Sequence, residues 1–140
     1  MWFNSKVLKP TSKQGLGANG IAFRARAAYV AVDDSGRIVR IPVLKGGAPG
    51  GSAVIAHGKS LKGADGIQFD RRGALLIATS SSNTLVRLSP TGHVTRLAGP
   101  EDGLLYPVAP LLDTTRKAPR LYVLNRDFLA KGVPSLMKLR

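Results

Sequence analysis

Two short motifs carry the side chains of this chain that are best placed to do chemistry. Asn19-Gly20 and Asp65-Gly66 lie 46 residues apart, and each opens a similar run of apolar residues. An Asn or Asp before glycine either bonds its own backbone in a turn or turns its oxygen atoms toward a ligand. The third similar segment opens with Tyr106-Pro107, 41 residues after Asp65, and offers no carboxylate there. The first two segment starts are therefore the principal candidates.

Two further residues are weaker candidates for contact with a substrate. Tyr106 either packs at the mouth of a cavity or lines it with its ring. Asn125 follows the apolar run at residues 121–124 and either caps a loop or reaches a ligand at the rim. The residue types leave both alternatives open at each position.

Other motifs indicate no catalytic site. The segment at residues 57–60, HGKS, lacks the preceding glycine that a phosphate-binding loop requires. The serines at residues 80–82 lack the G-x-S-x-G spacing of a nucleophile elbow and are interpreted as a loop. His57 and His93 fall on different predicted outer strands, so we do not expect them to share a metal. The chain has no cysteine, which excludes disulfides and thiolate metal sites.

The elements that must position these residues form a threefold repeat. Its copies read "NGIAF…AYVAVDDSGRIVRIPV", "DGIQFDRRGALLIATSSSNTLVRLSP" and "YPVAPLLD…RLYVLNRD…PSLMKLR". A period of about 40 to 50 residues, with several short strands in each copy, is typical of propeller blades. We therefore predict an all-β fold, a partial β-propeller with about three four-stranded blades. The single domain spans residues 1–140, with blades near 18–58, 64–99 and 105–140. Residues 2–8 are a candidate outer strand for the last blade, which lacks one.

The same residues carry a family resemblance. The phrase "GANGIAF…YVAVDDSGRIVRI…GADGIQFDRRGALLIATSSSNTLVRLSPTGHVTRL" resembles the senescence-marker-protein/gluconolactonase family of six-bladed propellers. The resemblance covers about residues 15–140 and matches the C-terminal half of that family. It implies a divalent-metal-dependent lactonase or related hydrolase acting on a lactone or a sugar-acid-like small molecule.

The resemblance also implies roles for single residues. Asn19 and Asp65 correspond to two ligands of a divalent cation, calcium or zinc, and Asp65 also corresponds to the candidate catalytic base. The family's site takes a further Asn and a first-blade Glu, but the only Glu in this chain is Glu101, in the sequence PEDG. The implied site is therefore incomplete. The alternative is a non-catalytic propeller module that binds a small molecule or a protein.

Charge and length set the remaining expectations. The net charge of +13 suggests an anionic partner, but the basic residues are scattered and few aromatic residues are free to stack on bases, which argues against nucleic acid. The sequence contains no run of about 20 apolar residues and no secretory signal pattern, so we expect a soluble chain without a membrane segment. The compartment stays open. Three blades of a six-bladed ring predict either a homodimer that completes the ring or a longer natural chain.

Overall fold

The computed structural model describes residues 1–115, 117–126 and 133–139. In these ranges eleven β-strands form three antiparallel sheets, each with its strands in sequence order. The first sheet contains β1 (Ala18–Arg24), β2 (Ala27–Val32), β3 (Arg37–Pro42) and β4 (Ala53–His57). The second contains β5 (Ala64–Phe69), β6 (Leu75–Thr79), β7 (Thr84–Leu88) and β8 (Val94–Ala98). The third contains β9 (Pro107–Asp113), β10 (Arg120–Asn125) and β11 (Ser135–Leu139). The all-β prediction is confirmed.

The predicted units at 18–58, 64–99 and 105–140 each contain one of these sheets. The third sheet has three strands within the described residues rather than four, and residues 116, 127–132 and 140 of that unit lie outside them. The helical segments are 3-10 turns at Lys6–Leu8, Lys59–Leu61, Ser80–Ser82 and Pro100–Asp102. Each of these turns spans three residues, so no helix of the described part is long and apolar enough to cross a membrane.

The main core lies between the first and second sheets. Ala31 and Ile38 from the first sheet pack against Ile67, Ile77 and Val86 from the second. The central strands β2 and β6 are buried on both faces, which explains their nearly continuous apolar sequences, AAYVAV and LLIAT.

A smaller core joins the second sheet to the third. Leu85 and Ala98 of the second sheet meet Val123 of the third, and Leu104 from the connecting loop fills the space between them. Three sheets are thus stacked in chain order, and the middle sheet is covered on both faces.

The N-terminal segment differs from the prediction. Residues 2–8 are not an outer strand: they run across the first sheet and end in a 3-10 turn. The Oγ atom of Ser5 caps this turn by accepting a hydrogen bond from the backbone N–H of Val7 at 3.3 Å. Phe3, Val7 and Leu8 then pack on the face of the first sheet that points away from the second. Covering this apolar face outweighs the pairing that an extended strand would have made.

The first strands of the three sheets lie side by side, β1 against β5 and β5 against β9. Two glycines permit this approach. A Cβ atom on Gly20 would overlap the backbone carbonyl group of Asp65, and a Cβ atom on Gly66 would lie 2.8 Å from the Cα atom of Ala109. The N-terminal ends of these strands therefore converge.

The loop between β1 and β2 has a left-handed backbone. Arg24 pairs with Ala27, so the loop between β1 and β2 consists of Ala25 and Arg26 alone, with φ of 48° and 56°. Such two-residue loops favour Asn-Gly, because a left-handed conformation strains residues that have a Cβ atom.

The β5–β6 turn is held by a carboxylate. Asp70 accepts a hydrogen bond from the backbone N–H of Ala74 at 2.9 Å and one from Nε of Arg87 at 3.0 Å. Burial acts to raise the pKa of Asp70, but these hydrogen bonds and the positive charge of Arg87 bring it below its usual value.

Candidate functional site

A cleft of about 550 Å³ opens where the N-terminal ends of β1 and β5 meet the C-terminal ends of β2, β6 and β10. Its polar lining includes Asn19, Asp33, Asp65 and Arg126, with Tyr106 at one side. The two residues that the sequence selected as candidate ligands, Asn19 and Asp65, therefore line the same cavity.

The backbone places these side chains through a pattern repeated in all three sheets. Ala18 pairs with Val32, Ala64 with Thr79 and Pro107 with Asn125, and each first strand has an irregularity just beyond that pair. Asn19 and Asp65 are the residues directly after the paired alanines, at the irregularity. A bulge re-aims the side chains beside it, and here those side chains line the cleft.

The residue that follows each second strand also lines the cleft. These residues are Asp33, Ser80 and Arg126. Their backbone N–H groups donate to the carbonyl oxygens of Gly17, Gly63 and Tyr106 at 3.1, 2.8 and 3.0 Å, respectively. One structural position thus carries an acid, a hydroxyl and a guanidinium in the three sheets.

This register corrects the alignment of the third segment. The residue equivalent to Asn19 and Asp65 is Val108. Each of the three directly follows the first paired residue of its strand, which is Ala18, Ala64 or Pro107. Tyr106 occupies the position of Gly63 instead. Its φ of 51° lies in the left-handed region, as does the 76° of Gly63. Tyr106 does line the cleft, from a strained backbone whose N–H group donates to Oδ1 of Asn83 at 2.7 Å.

Asn125 does not contribute to the cleft. Its side chain is buried, and its amide nitrogen donates to the carbonyl oxygen of Gly103 at 2.9 Å. Its Oδ1 atom accepts from the backbone N–H of Leu105 at 3.2 Å. The amide therefore holds the loop before β9 against the end of β10, so Asn125 has the loop-capping role that was one of its two predicted alternatives.

Asp33 is the site residue that sequence reasoning missed. The sequence DDSG at residues 33–36 is typical of a turn, and a turn alone would explain both of its aspartates. Asp34 does act locally, because its Oδ2 atom accepts hydrogen bonds from the backbone N–H and the hydroxyl of Thr11 at 2.7 and 2.9 Å. Asp33 points into the cleft instead. Its place directly after the second strand, matching Ser80 in the next repeat, is the signal that could have identified it.

The two carboxyl groups of the cleft hold their protons more tightly than usual. Burial raises the pKa of Asp33, and the charge of Asp34 adds to this, while a hydrogen bond from the side chain of Asn19 lowers it. Burial also raises the pKa of Asp65, followed by the negative charge of Asp33, while the positive charge of Arg126 lowers it. The cleft therefore concentrates negative charge that a bound cation would relieve.

The serines of the cleft have structural roles. The hydroxyl of Ser80 donates to the carbonyl oxygen of Gly63 at 3.2 Å, and the hydroxyl of Ser81 donates to that of Lys62 at 2.9 Å. No histidine lines the cleft in the part of the chain that the structure describes. These hydroxyls thus lack the adjacent base that activates a serine nucleophile.

The donor set of the cleft fits calcium better than zinc. Asn19, Asp33 and Asp65 supply hard oxygen atoms, which calcium prefers, whereas zinc sites are built mainly from histidine and cysteine. Across the described ranges, no group of three or more histidine, cysteine, aspartate or glutamate side chains could hold a metal ion. The protein would contribute two carboxylates and one amide, which predicts weak binding.

Comparison with known proteins adds no family to this description. No protein-family model matches the chain, and no curated protein matches it significantly.

Proposed function

We propose that the cleft binds a divalent cation, calcium by its donor set, and hydrolyses a small ester such as a lactone. The observation that supports this most is the juxtaposition of Asp33 and Asp65 beside Asn19 in one solvent-accessible cavity. Both carboxyl groups have raised pKa values, and Asp33 contributes to the shift of Asp65. Asn19, Asp33 and Asp65 would hold the cation.

Each residue of the cleft has a role in this proposal. A bound cation would polarise the ester carbonyl group. Asp65 would also act as the general base that accepts a proton from the attacking water. The water oxygen bonds to the carbonyl carbon, the ring C–O bond breaks, and the proton returns to the leaving alkoxide. Arg126 would keep Asp65 ionised and orient an anionic substrate or product.

The experiment is a calcium titration by calorimetry, combined with a pH-indicator assay of lactone opening. The wild-type chain should bind calcium with a Kd on the order of 10⁻⁴ to 10⁻³ M, the range of weak sites. Asp65→Asn should abolish both binding and turnover. Glu101→Gln is the matched control, because it removes an exposed carboxylate that pairs with Arg96 outside the cleft. Calcium binding that Asp65→Asn leaves unchanged would refute the proposal.

A non-catalytic binding module is the second candidate. The small number of protein ligands favours a binding module. Two carboxylates without a third would leave most of the coordination of a cation to water or to a bound molecule, so the cation would be held weakly. On this view the cleft binds a polar small molecule through Asn19, Asp33 and Arg126 without turnover. Wild-type protein that binds the product acid but opens no lactone, with or without calcium, would favour the module over the hydrolase.

We further propose that the three sheets are consecutive blades of a propeller-type ring. Their strand order and the side-by-side arrangement of β1, β5 and β9 support this. The two end faces also support it, because both expose apolar side chains. On the outer face of the first sheet, Ile21 and Phe23 of β1 are exposed beside the part that Phe3, Val7 and Leu8 cover. Leu111, Leu124 and Leu136 are exposed on the face of the third sheet opposite Val123.

In this proposal a second copy of the chain covers both end faces and completes a six-bladed ring. The net charge of +13 on each copy opposes the association, so raised salt should strengthen it. Light scattering after size exclusion should give about twice 14.8 kDa at raised salt. A mass that stays at that of one chain at every salt and protein concentration would reject the second copy.

A further inference from the structure

A second cleft lies at the other end of β1, between the first and second sheets. Its volume is about 440 Å³, close to that of the first cleft, but its lining is of opposite character. Arg24, Arg40 and Arg72 contribute to it, together with the rings of Tyr29 and Phe69. None of its lining residues is acidic.

The aromatic part of this cleft is rigidly built. The rings of Tyr29 and Phe69 meet edge to face, with centroids 4.8 Å apart and planes at 82°. The guanidinium of Arg24 lies over the ring of Phe69, 5.6 Å from its centroid, and also reaches the carbonyl oxygen of Asp70 at 3.5 Å. The strained loop at Ala25 directly follows Arg24 and borders the cleft.

Among the described residues, no carboxylate forms an ion pair with the arginines of this cleft. In the described ranges, side-chain ion pairs join Arg87 to Asp70 and Arg96 to Glu101, and neither pair involves an arginine of the cleft. Arg24 reaches Asp70 through the backbone carbonyl oxygen, and the carboxylate of Asp70 is engaged by Arg87. Three guanidinium groups therefore line the cleft beside its apolar residues, and none is paired with a carboxylate in the part of the chain that the structure describes.

We propose that this cleft binds a small amphipathic anion, a carboxylate or phosphate attached to an aromatic or aliphatic body. Arginine is suited to both anions because its planar N–H donors match their oxygen atoms in pairs. The apolar wall formed by Tyr29, Phe69 and Leu75 would take the body, as in most small-molecule sites, where a few polar groups orient a largely apolar ligand. The inference is independent of the cation site at Asp65, since the two clefts share no lining residue.

Calorimetric titration with four probes tests the proposal: phenyl phosphate, benzoate, inorganic phosphate and benzyl alcohol. Phenyl phosphate or benzoate should bind measurably, and the stronger of the two identifies the preferred anion. Inorganic phosphate should bind at least about tenfold more weakly than phenyl phosphate, because it lacks the apolar body. Benzyl alcohol, which has the ring without the charge, should show no binding. Equal binding of phenyl phosphate and inorganic phosphate, or no binding of either aromatic anion, would overturn the proposal.

Arg40→Gln and Arg37→Gln provide a matched pair of variants. Both residues lie on β3 and both changes remove one positive charge, but Arg37 is outside the cleft and lies near Asp34. Arg40→Gln should weaken the binding of phenyl phosphate by about tenfold or more, which is the effect of losing a charge-assisted hydrogen bond. Arg37→Gln should leave the affinity for phenyl phosphate within about twofold of the wild type. Equal weakening by both would show attraction to net charge alone and reject the site. Thermal unfolding of both variants establishes that they are folded, and Arg72→Gln replaces Arg40→Gln if that variant is not.

Discussion

Replacement of Gly20 by alanine should separate β1 from β5 and disrupt the cleft between them. The added Cβ atom would overlap the carbonyl group of Asp65 and lie 3.0 Å from the Cα atom of Gly66. These atoms belong to the backbone of the neighbouring strand and cannot rotate away, so the strands themselves must move. Since Asp65 is both the obstacle and a site residue, the same movement displaces its carboxylate.

Overpacking of a close contact destabilises a protein by about 1–3 kcal/mol. Because the obstacle here is backbone that cannot rotate away, we expect Gly20→Ala to lower the free energy of unfolding by about 3 kcal/mol. Urea denaturation should therefore give a lower midpoint with an unchanged slope. In thermal unfolding the same loss should lower Tm by about 10 °C for a domain of this size.

Gly51→Ala is the matched control, because no atom lies within 4 Å of the position of its Cβ atom and its φ is not in the left-handed region. This change should stabilise the chain by about 0.4–1 kcal/mol, because it restricts the unfolded state. If Gly20→Ala proves as stable as Gly51→Ala, the close approach of β1 and β5 is refuted, and with it the convergence of the candidate ligands.

Three further predictions concern charge and backbone strain. Asp33→Asn and Asp65→Asn should each raise the free energy of unfolding at neutral pH without calcium, because folding raises the pKa of both carboxyl groups and so disfavours their ionised forms. This gain should fade as the pH is lowered through the raised pKa toward the unfolded value, and urea titrations in which it persists at acid pH would contradict the reasoning. Changing Ala25 and Arg26 together to Asn-Gly should stabilise the chain by about 1 kcal/mol and raise Tm by about 3 °C; an unchanged or lower Tm would show that the loop is not strained. Asp70→Asn should cost about 1.5–3 kcal/mol at neutral pH, and this difference should shrink as the pH falls through the lowered folded pKa of Asp70; equal stability at pH 7 would exclude its role in the turn.

The strands were predictable because local and tertiary preferences agree in them. Apolar runs such as LLIAT at β6 end at clear turn signals, so the pairing partners follow from chain order. The N-terminal segment was not predictable in this way. The spacing of Phe3, Val7 and Leu8 is compatible with a strand. The turn is favoured by the Ser5 cap and by packing on the apolar outer face of the first sheet, which the local sequence does not reveal.

The site was predictable only in part, because its residues come from different strand ends. Asn19 and Asp65 were candidates by their place at the segment starts, the resemblance implied their role as cation ligands, and the structure brings both into one cleft. Asp33 was missed because a turn explained it locally, while its cleft position depends on packing between sheets. Tyr106 was aligned two residues away from the equivalent position, Val108, because the glycine that marks the other two strand starts is an alanine in β9.

A calorimetric titration of calcium into the wild-type chain and into Asp33→Asn tests the proposed cation site directly. Asp33 is the decisive position because the structure, and not the sequence motif, assigns it to the cleft. Calcium should bind the wild type weakly and saturably, and Asp33→Asn should abolish this binding while raising the stability of the apo protein. Calcium binding of equal strength in both proteins, or none in the wild type, would contradict the proposed cation site.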